Sequence, residues 1–294
     1  MQPPLRPSKT PKGVVMDQYR VLGHPIAHSK SPQIHARFAE LTGQALQYER
    51  LLVPLDDFAA TLERLQAQGI KGCNVTVPFK QEAFARADQV SARVELAQAA
   101  NTLSWVDGQL LADNTDGLGL VRDMEVNAGR KLQGLDILLL GAGGAAAGVL
   151  GPLLLTGPAR IAVANRTAAK AHALVEQHRR HPSLQQEALG RTELMALPLD
   201  AHLPAFDVVI NATAGSLEGA APPIDARALK PGALVYDMMY GPKAEPFLRW
   251  AGAHGAQTRD GLGMLVEQAA ESFFIWRGIR PPAHEVLAQL RAAL

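Results

Sequence analysis

The chain has almost no cysteine: Cys73 is the single one in 294 residues. That excludes an intrachain disulfide and any cysteine cluster for zinc or iron–sulfur, and it suits a reducing, cytoplasmic setting. Charge of one sign is not in excess either. The formal balance is +1 at pH 7, so the totals point to no nucleic-acid or anionic-membrane partner. No apolar run approaches the roughly 18 residues that cross a bilayer. Residues 1–17 hold Pro, Lys and Arg without the apolar stretch of a secretory signal, and the first 18 residues read as a loose tail. Internal repeats, low-complexity segments and metal-ligand clusters are missing as well. What remains is ordinary for a globular chain, 47% hydrophobic and 19% charged, with length enough for two domains.

The stretch that organises the rest runs from Leu135 to Leu150. Its apolar half reads as a strand buried on both faces, as parallel sheets require. It breaks at Gly141, Gly143 and Gly144 and resumes as an Ala-rich helix. Gly141 permits a tight turn, Gly143 lets backbone N–H groups approach a pyrophosphate, and Ala146 lets helix and strand pack closely. The helix N-terminus then turns about half a positive charge toward the phosphates. The next strand, Arg160 to Asn165, has no acid at its end to bind a ribose 2′-hydroxyl. Arg166 stands there instead, in the place suited to a 2′-phosphate, followed by Thr167 as N-cap and Lys170 one turn in. A charge pair at about 4 Å near a surface is worth roughly 4 kcal/mol gross, enough after desolvation to favour NADP over NAD tenfold or more.

Before this unit, strands are expected over Tyr19–Leu22, Leu46–Val53 and Ile70–Val77, and helices over Gln33–Leu41 and Leu55–Gln68. Ser31 is the expected N-cap of the first helix, with Pro32 at its first position. Short helices follow from Phe79 to about Ala97, then a hairpin around Asp107-Gly108. This alternation gives a mixed, largely parallel sheet. A helix from Thr115 to about Asn127 crosses to the dinucleotide unit, which continues through strands Phe206–Ala212 and Ala233–Met238. Helices over Leu262–Trp276 and Ala283–Leu294 close the chain, while 181–203 shows little periodicity. The fold class is therefore α/β, with a mixed, largely parallel first domain followed by a Rossmann-type, doubly wound dinucleotide domain.

Polar residues that a core would not want gather at several element ends: Ser29 and Ser31, Asn74 to Lys80, Asn101-Thr102, and Asp113 to Gly117. In open α/β sheets ligands collect at the carboxyl ends of strands. Asn74 and Thr76 alternate with apolar residues, so both project from one strand face. The nine histidines are scattered, and His24 and His28 read as loop residues.

These pieces make the chain resemble the shikimate dehydrogenase family from Tyr19 onward. The matching motifs are His28-Ser-Lys-Ser-Pro32, Asn74-Val-Thr-Val-Pro-Phe-Lys80, Ala100-Asn-Thr102, Asn114-Thr-Asp-Gly117, Gly141-Ala-Gly-Gly-Ala145, Asn165-Arg-Thr167, Asn211-Ala-Thr213, Tyr236-Asp-Met238 and Asp260-Gly-Leu-Gly-Met264. The resemblance implies Lys80 and Asp116 as a catalytic pair. It implies Ser29, Ser31, Asn74, Thr76, Asn101, Asp116, Tyr240 and Gln268 as substrate contacts. Gly141, Ala142, Gly143, Gly144, Ala145, Asn165, Arg166, Thr167, Lys170, Met238 and Gly261 would line an NADP(H) site.

The implied reaction is the reversible, NADPH-dependent reduction of 3-dehydroshikimate to shikimate, in chorismate and aromatic amino-acid biosynthesis, by a monomer or homodimer without a metal. Hydride delivery to a ketone leaves an alkoxide that needs a proton or positive charge close by, which Lys80 can supply. The alternatives are a quinate/shikimate dehydrogenase preferring NAD, and a non-catalytic NADP-binding sensor. Three departures from the family pattern stand out: Ala214-Gly-Ser216 after Thr213, Glu245 before Pro246, and His24. The resemblance also implies, through the order of these motifs, that both ligands lie in a cleft between a substrate domain (19–116 plus 261–294) and the NADP-binding domain (117–260), with the helix bearing Gln268 returning to the first.

Overall fold

In the computed structural model, residues 16–199, 202–213 and 223–293 are described. Along the chain these form β1 (Asp17–Gly23), α1 (Ser31–Thr42), β2 (Leu46–Leu52), α2 (Phe58–Ala67), β3 (Gly72–Val75), α3 (Lys80–Arg86), β4 (Gln89–Val90), α4 (Ala92–Ala97), β5 (Thr102–Val106) and β6 (Gln109–Asp113). Next come α5 (Asp116–Arg122), which runs into a π turn (Asp123–Asn127), then β7 (Asp136–Leu140), α6 (Gly144–Leu155), β8 (Arg160–Asn165), α7 (Ala168–Arg179), α8 (Pro182–Glu187) and β9 (Glu193–Pro198). The chain continues with β10 (Phe206–Asn211), β11 (Leu229–Asp237), α9 (Glu245–Ala253), β12 (Gln257–Asp260), α10 (Leu262–Arg277) and α11 (Ala283–Ala292).

Two sheets result. The first has the order β2-β1-β3-β5-β6-β4. It is mixed: β1 pairs parallel with β2 and β3, and β4 with β6, while β5 runs antiparallel to β3 and β6. The second, β12-β11-β10-β7-β8-β9, is parallel throughout. Its strand order reverses between β7 and β10, and that switch point is where an open α/β sheet leaves a crevice.

Alternation explains why both sheets are covered on two sides. In β1, Tyr19 and Val21 join a cluster with α1, α10 and α11, whereas Leu22 joins one with α2 and α3. In β7, Ile137 and Leu139 pack with α6, and Leu138 and Leu140 face Phe247 and Ala251 of α9. Every one of those β7 side chains is fully buried, the signature of a strand with helices on each face.

Several boundaries differ from expectation. Asp17 and Gln18, expected in the tail, pair with Leu46 and Gln47 and extend β1, and Arg277 holds the Asp17 carboxylate. Ser31 is the first residue inside α1, not its cap; Lys30 is the cap and Ser29 Oγ accepts the Ser31 N–H at 3.3 Å. β3 stops at Val75, so Thr76 lies just beyond the strand that holds Asn74; Thr76 O accepts the Phe79 N–H at 3.0 Å in the turn that follows. Within 181–203 there are a helix and an edge strand, and α9 and β12 had no sequence-based expectation. The departure at 214–216 lies outside the described residues. No helix among the described residues is long and apolar enough to cross a membrane.

Candidate active site

The site begins where three element ends converge. Lys80 opens α3, directly after Phe79, whose ring stacks on Phe58 at 4.8 Å and anchors the turn. Asp116 opens α5, where the helix N-terminus favours a carboxylate. The Lys80 Nζ donates to Asp116 Oδ2 at 2.5 Å, with side-chain exposures of 26% and 12%. The lysine has no such help from its own helix, whose N-terminal partial charge repels an ammonium, so the carboxylate is its compensating partner. One face of the pair remains open to solvent and hence to a ligand.

Asn101 braces the other carboxylate oxygen: its Nδ2 donates to Asp116 Oδ1 at 2.8 Å and lies 3.2 Å from Gln268 Oε1. Its Oδ1 accepts from the Thr115 backbone N–H at 2.9 Å and from Thr102 Oγ1 at 2.9 Å. Gln268 comes from α10, which does return to the first sheet, and donates to Leu265 O at 2.8 Å. Ser272, one turn on, bonds Thr102 at 2.8 Å and Thr115 at 3.2 Å. Asn74 sits beneath with its amide engaged by protein: Oδ1 accepts from Tyr48 Oη at 2.7 Å, and Nδ2 reaches Asn101 O, Thr102 Oγ1 and Ser272 Oγ at 3.0, 3.2 and 3.0 Å.

The remaining expected substrate residues lie on adjoining loops. The loop after β1 rests on the turn after β3, where the Thr76 N–H donates to Leu22 O and the His24 N–H to Val77 O. Ser29 is half-buried and Ser31 buried, with Arg50 donating to Ser29 O. Tyr240, from the loop after β11, is half-buried against the core of the first sheet, and that burial raises its phenol pKa. Thr102 and Thr115 had a sequence-based expectation only as part of the polar element ends, and Tyr48 and Ser272 had none. For Ser272 a signal existed: it follows Gln268 by four residues on a helix that is otherwise largely apolar.

On the second sheet, Gly141 has φ +107°, and a Cβ there would fall 2.9 Å from Ala212 O, so β7 and β10 close on each other at the switch point. Gly143 caps α6 and Gly144 starts it; a Cβ at either would meet nothing within 4 Å, and both are exposed together with Ala145. Exposed N–H groups under open space at a helix N-terminus fit a pyrophosphate. Ala142 is half-buried beside them. Asn165 ends β8, next to the glycine turn whose Gly141 N–H donates to Ala164 O at 2.8 Å, and itself donates to Thr167 O at 2.9 Å; Arg166, Thr167 and Lys170 follow, all exposed, and Thr167 caps α7 without a side-chain bond. A 2′-phosphate would therefore meet cations and no strand-end acid. Met238 and Gly261 meet across the loops after β11 and β12: a Cβ on Gly261 would lie 2.2 Å from Met238 O, so only glycine fits.

Helix α5 joins the two halves. A Cβ on Gly117 would strike Pro152 Cγ of α6 at 2.4 Å, and one on Gly119 would meet the Gln268 backbone N at 2.7 Å. These glycines let α5 press against α6 on one side and α10 on the other, which sets Asp116 against the helix that follows the glycine loop. A Cβ added to Gly148 of α6 would meet the Asn114 amide at 3.4 Å and Asp116 Oδ2 at 3.7 Å, ordinary contact distances.

Three family models match the chain: a shikimate dehydrogenase substrate binding domain over residues 21–103, a shikimate/quinate 5-dehydrogenase model over 124–218, and a shikimate 5'-dehydrogenase C-terminal domain over 261–291. The shikimate dehydrogenase (NADP(+)) of Acidovorax sp. strain JS42 is 62% identical over 278 residues, spanning 95% of this chain and 97% of that protein. Among solved structures, an Ael1 enzyme from Pseudomonas putida matches with TM-score 0.85 at 45% identity, over 93% of this chain and 98% of its own. Shikimate 5-dehydrogenase from Thermus thermophilus, in complex with NADP(H) and shikimate, matches with TM-score 0.82 at 34% identity, over 95% of this chain and 100% of its own.

Proposed function

The chain belongs to the shikimate dehydrogenase family, and on that premise we propose that it catalyses the reversible, NADPH-dependent reduction of 3-dehydroshikimate to shikimate, serving chorismate and aromatic amino-acid biosynthesis, with Lys80 and Asp116 as its catalytic pair. The observation that carries the pair is its geometry: an ammonium and a carboxylate 2.5 Å apart, partly open, at the end of the helix that bridges the two sheets. NADPH supplies the hydride, and Gly141, Ala142, Gly143, Gly144 and Ala145 would hold its pyrophosphate, with Asn165, Arg166, Thr167 and Lys170 on the 2′-phosphate side and Met238 and Gly261 beside the nicotinamide.

The chain's own residues do the rest. As the ketone oxygen gains charge, the Lys80 ammonium stabilises it and delivers the proton that makes it a hydroxyl; in the reverse direction Lys80 takes that proton back. Asp116 fixes the ammonium and accepts a bond from a neighbouring substrate hydroxyl. Asn101 holds Asp116 in register, and with Gln268, Thr76 and Tyr240 it lines a hydroxyl-binding pocket. Ser29 and Ser31 receive the substrate carboxylate. Asn74, with its amide engaged by Tyr48, Thr102 and Ser272, supports the pocket floor.

We assign residues 19–116 and 261–294 to the substrate unit and 117–260 to the NADP unit. All the assigned residues come from one chain, so a monomer or a homodimer serves. Cytoplasmic residence is the reading that the single, buried Cys73 thiol supports.

The test is an NADPH-absorbance assay with shikimate or quinate, each crossed with NADP or NAD. Turnover with shikimate and NADP well above the other combinations is the expected result. A preference for quinate with NAD, or binding of NADPH without turnover, overturns it.

A further inference from the structure

Asp123 is fully buried and has no part in the reaction above. Its Oδ2 accepts from Tyr236 Oη at 2.8 Å and Arg259 Nε at 2.7 Å, and its Oδ1 from Arg259 Nη2 at 2.5 Å and Asn127 Nδ2 at 3.0 Å. The close approach of α10 leaves no room for a side chain opposite: a Cβ on Gly263 would lie 1.8 Å from Asp123 Oδ1. Asn127 also donates to Glu267 of α10 at 3.0 Å, so the π turn is tied to that helix as well. A buried ion pair is by itself a weak source of stability, since the desolvation of both charges opposes it. What this one does is fix a position.

Asp123 caps the C-terminal end of α5, seven residues after Asp116. Seven residues make almost two turns, so both carboxylates share one helix face, about 10 Å apart along the axis. Tyr236 and Arg259 are register partners in β11 and β12. Two residues further on, just past the ends of those strands, come Met238 and Gly261, which meet at the assigned nicotinamide side. The strands that carry the cofactor residues therefore also grip the far end of the helix that carries Asp116. A swing of α5 by only about 5° about that grip would shift Asp116 by about 1 Å.

We infer that Asp123, clamped by Arg259 and Tyr236, is a positioning residue that sets the Lys80–Asp116 pair at its working distance from the cofactor. This rests on the functional reading above. The clamp touches neither substrate nor cofactor and acts through Asp116.

The test uses the full chain with NADPH, 3-dehydroshikimate and NADPH deuterated at the transferred position, and the variants Tyr236→Phe, Arg259→Lys and Asp123→Asn. Misplacement of about 1 Å costs on the order of 10²-fold in rate, so kcat should fall about 10- to 100-fold in Asp123→Asn and by smaller factors in the other two. KM for 3-dehydroshikimate and Kd for NADPH should stay within about twofold, because each ligand's contacts remain, while the deuterium isotope effect on kcat rises as hydride transfer becomes limiting. In an Asp116→Asn background, Asp123→Asn should add less than about a twofold loss, as expected for residues acting as one unit.

A merely structural role predicts a lower Tm with kcat and isotope effect unchanged, and that result overturns the clamp. So does a loss carried wholly by KM or Kd. Should Asp123→Asn fail to fold, Tyr236→Phe and Arg259→Lys decide by the same criteria. An inactive wild-type protein would defeat the functional reading; an active one with unimpaired variants defeats only the clamp.

Discussion

Replacing Lys80 with methionine removes the ammonium and little else. The side chain keeps nearly its length, and Phe79, which anchors the turn, is untouched. Asp116 keeps its bond from Asn101 Nδ2 at 2.8 Å and its place at the start of α5, so the orphaned carboxylate is still supported. The pair's partial exposure, 26% and 12%, limits what the folded state loses; for a pair of this kind about 1 kcal/mol is expected, visible as a small drop in Tm. The catalytic loss should be far larger. A positioned general acid contributes about 10²–10⁴-fold, equivalent to about 3–5 kcal/mol of transition-state stabilisation. NADPH binding should be nearly unchanged, because the glycine loop and Arg166 belong to the second sheet. Steady-state turnover by NADPH absorbance and a fluorescence titration of NADPH measure the two effects separately. Turnover within about tenfold of wild type would remove Lys80 from the mechanism. A weakening of NADPH binding as large as the fall in kcat would show that the substitution damaged the fold instead.

Arg166→Ala should weaken NADP by about tenfold or more while sparing NAD, as read from KM for both nucleotides; equal losses would refute the 2′-phosphate assignment. Gly261→Ala forces a Cβ to within 2.2 Å of the Met238 carbonyl oxygen, and the backbone shift should cost about 1–3 kcal/mol, so an unchanged Tm would count against the close packing described. His35 is buried between Tyr48 and Phe273, and burial lowers its pKa from 6.5 to about 3. The folded state keeps it neutral while the unfolded chain protonates it below pH 6.5, so stability falls with acidification through that window by about 1.4 kcal/mol per pH unit. His35→Phe should flatten this part of the urea-denaturation profile, and identical acid profiles for the two proteins would dismiss the assignment.

How far the sequence discloses this molecule depends on the range of the interaction. The glycine run, the apolar strand before it and Arg166 after the next strand are local, and each carries its geometry within a few residues. The polar ends at Asn74, Asn101 and Asp116 are legible for the same reason, since turn chemistry and strand ends are written locally. Edge elements are harder. β4 has two residues and β12 reads Gln-Thr-Arg-Asp, with no apolar alternation, because one side of each lies at a sheet border. The early start of β1 at Asp17 depends on Arg277, 260 residues away, and no window of sequence contains both. The Asp123–Arg259 bonds, across 136 residues, are hidden in the same way.

The polar cluster shows why residue types alone underdetermine roles. Asn74 and Asn101 both lie at the ends of apolar segments and look alike as ligands. In the fold, Asn74 has its carbonyl taken by Tyr48 and its amine by three protein acceptors, while Asn101 is aimed at Asp116. The first is 6% exposed and the second 3%, so burial does not separate them; their partners do. Ser272, Thr102 and Thr115 close a ring of hydroxyl bonds behind Asn101. These groups satisfy one another without a substrate, so the cluster keeps its geometry in the free protein. That is the condition under which hydrogen bonds aimed at a developing charge act without reorganising first. The Lys80–Asp116 pair is therefore held from two directions, by this ring through Asn101 and by the bridging helix through its glycine contacts with α6 and α10. A substitution in either support should act on rate before it acts on ligand affinity.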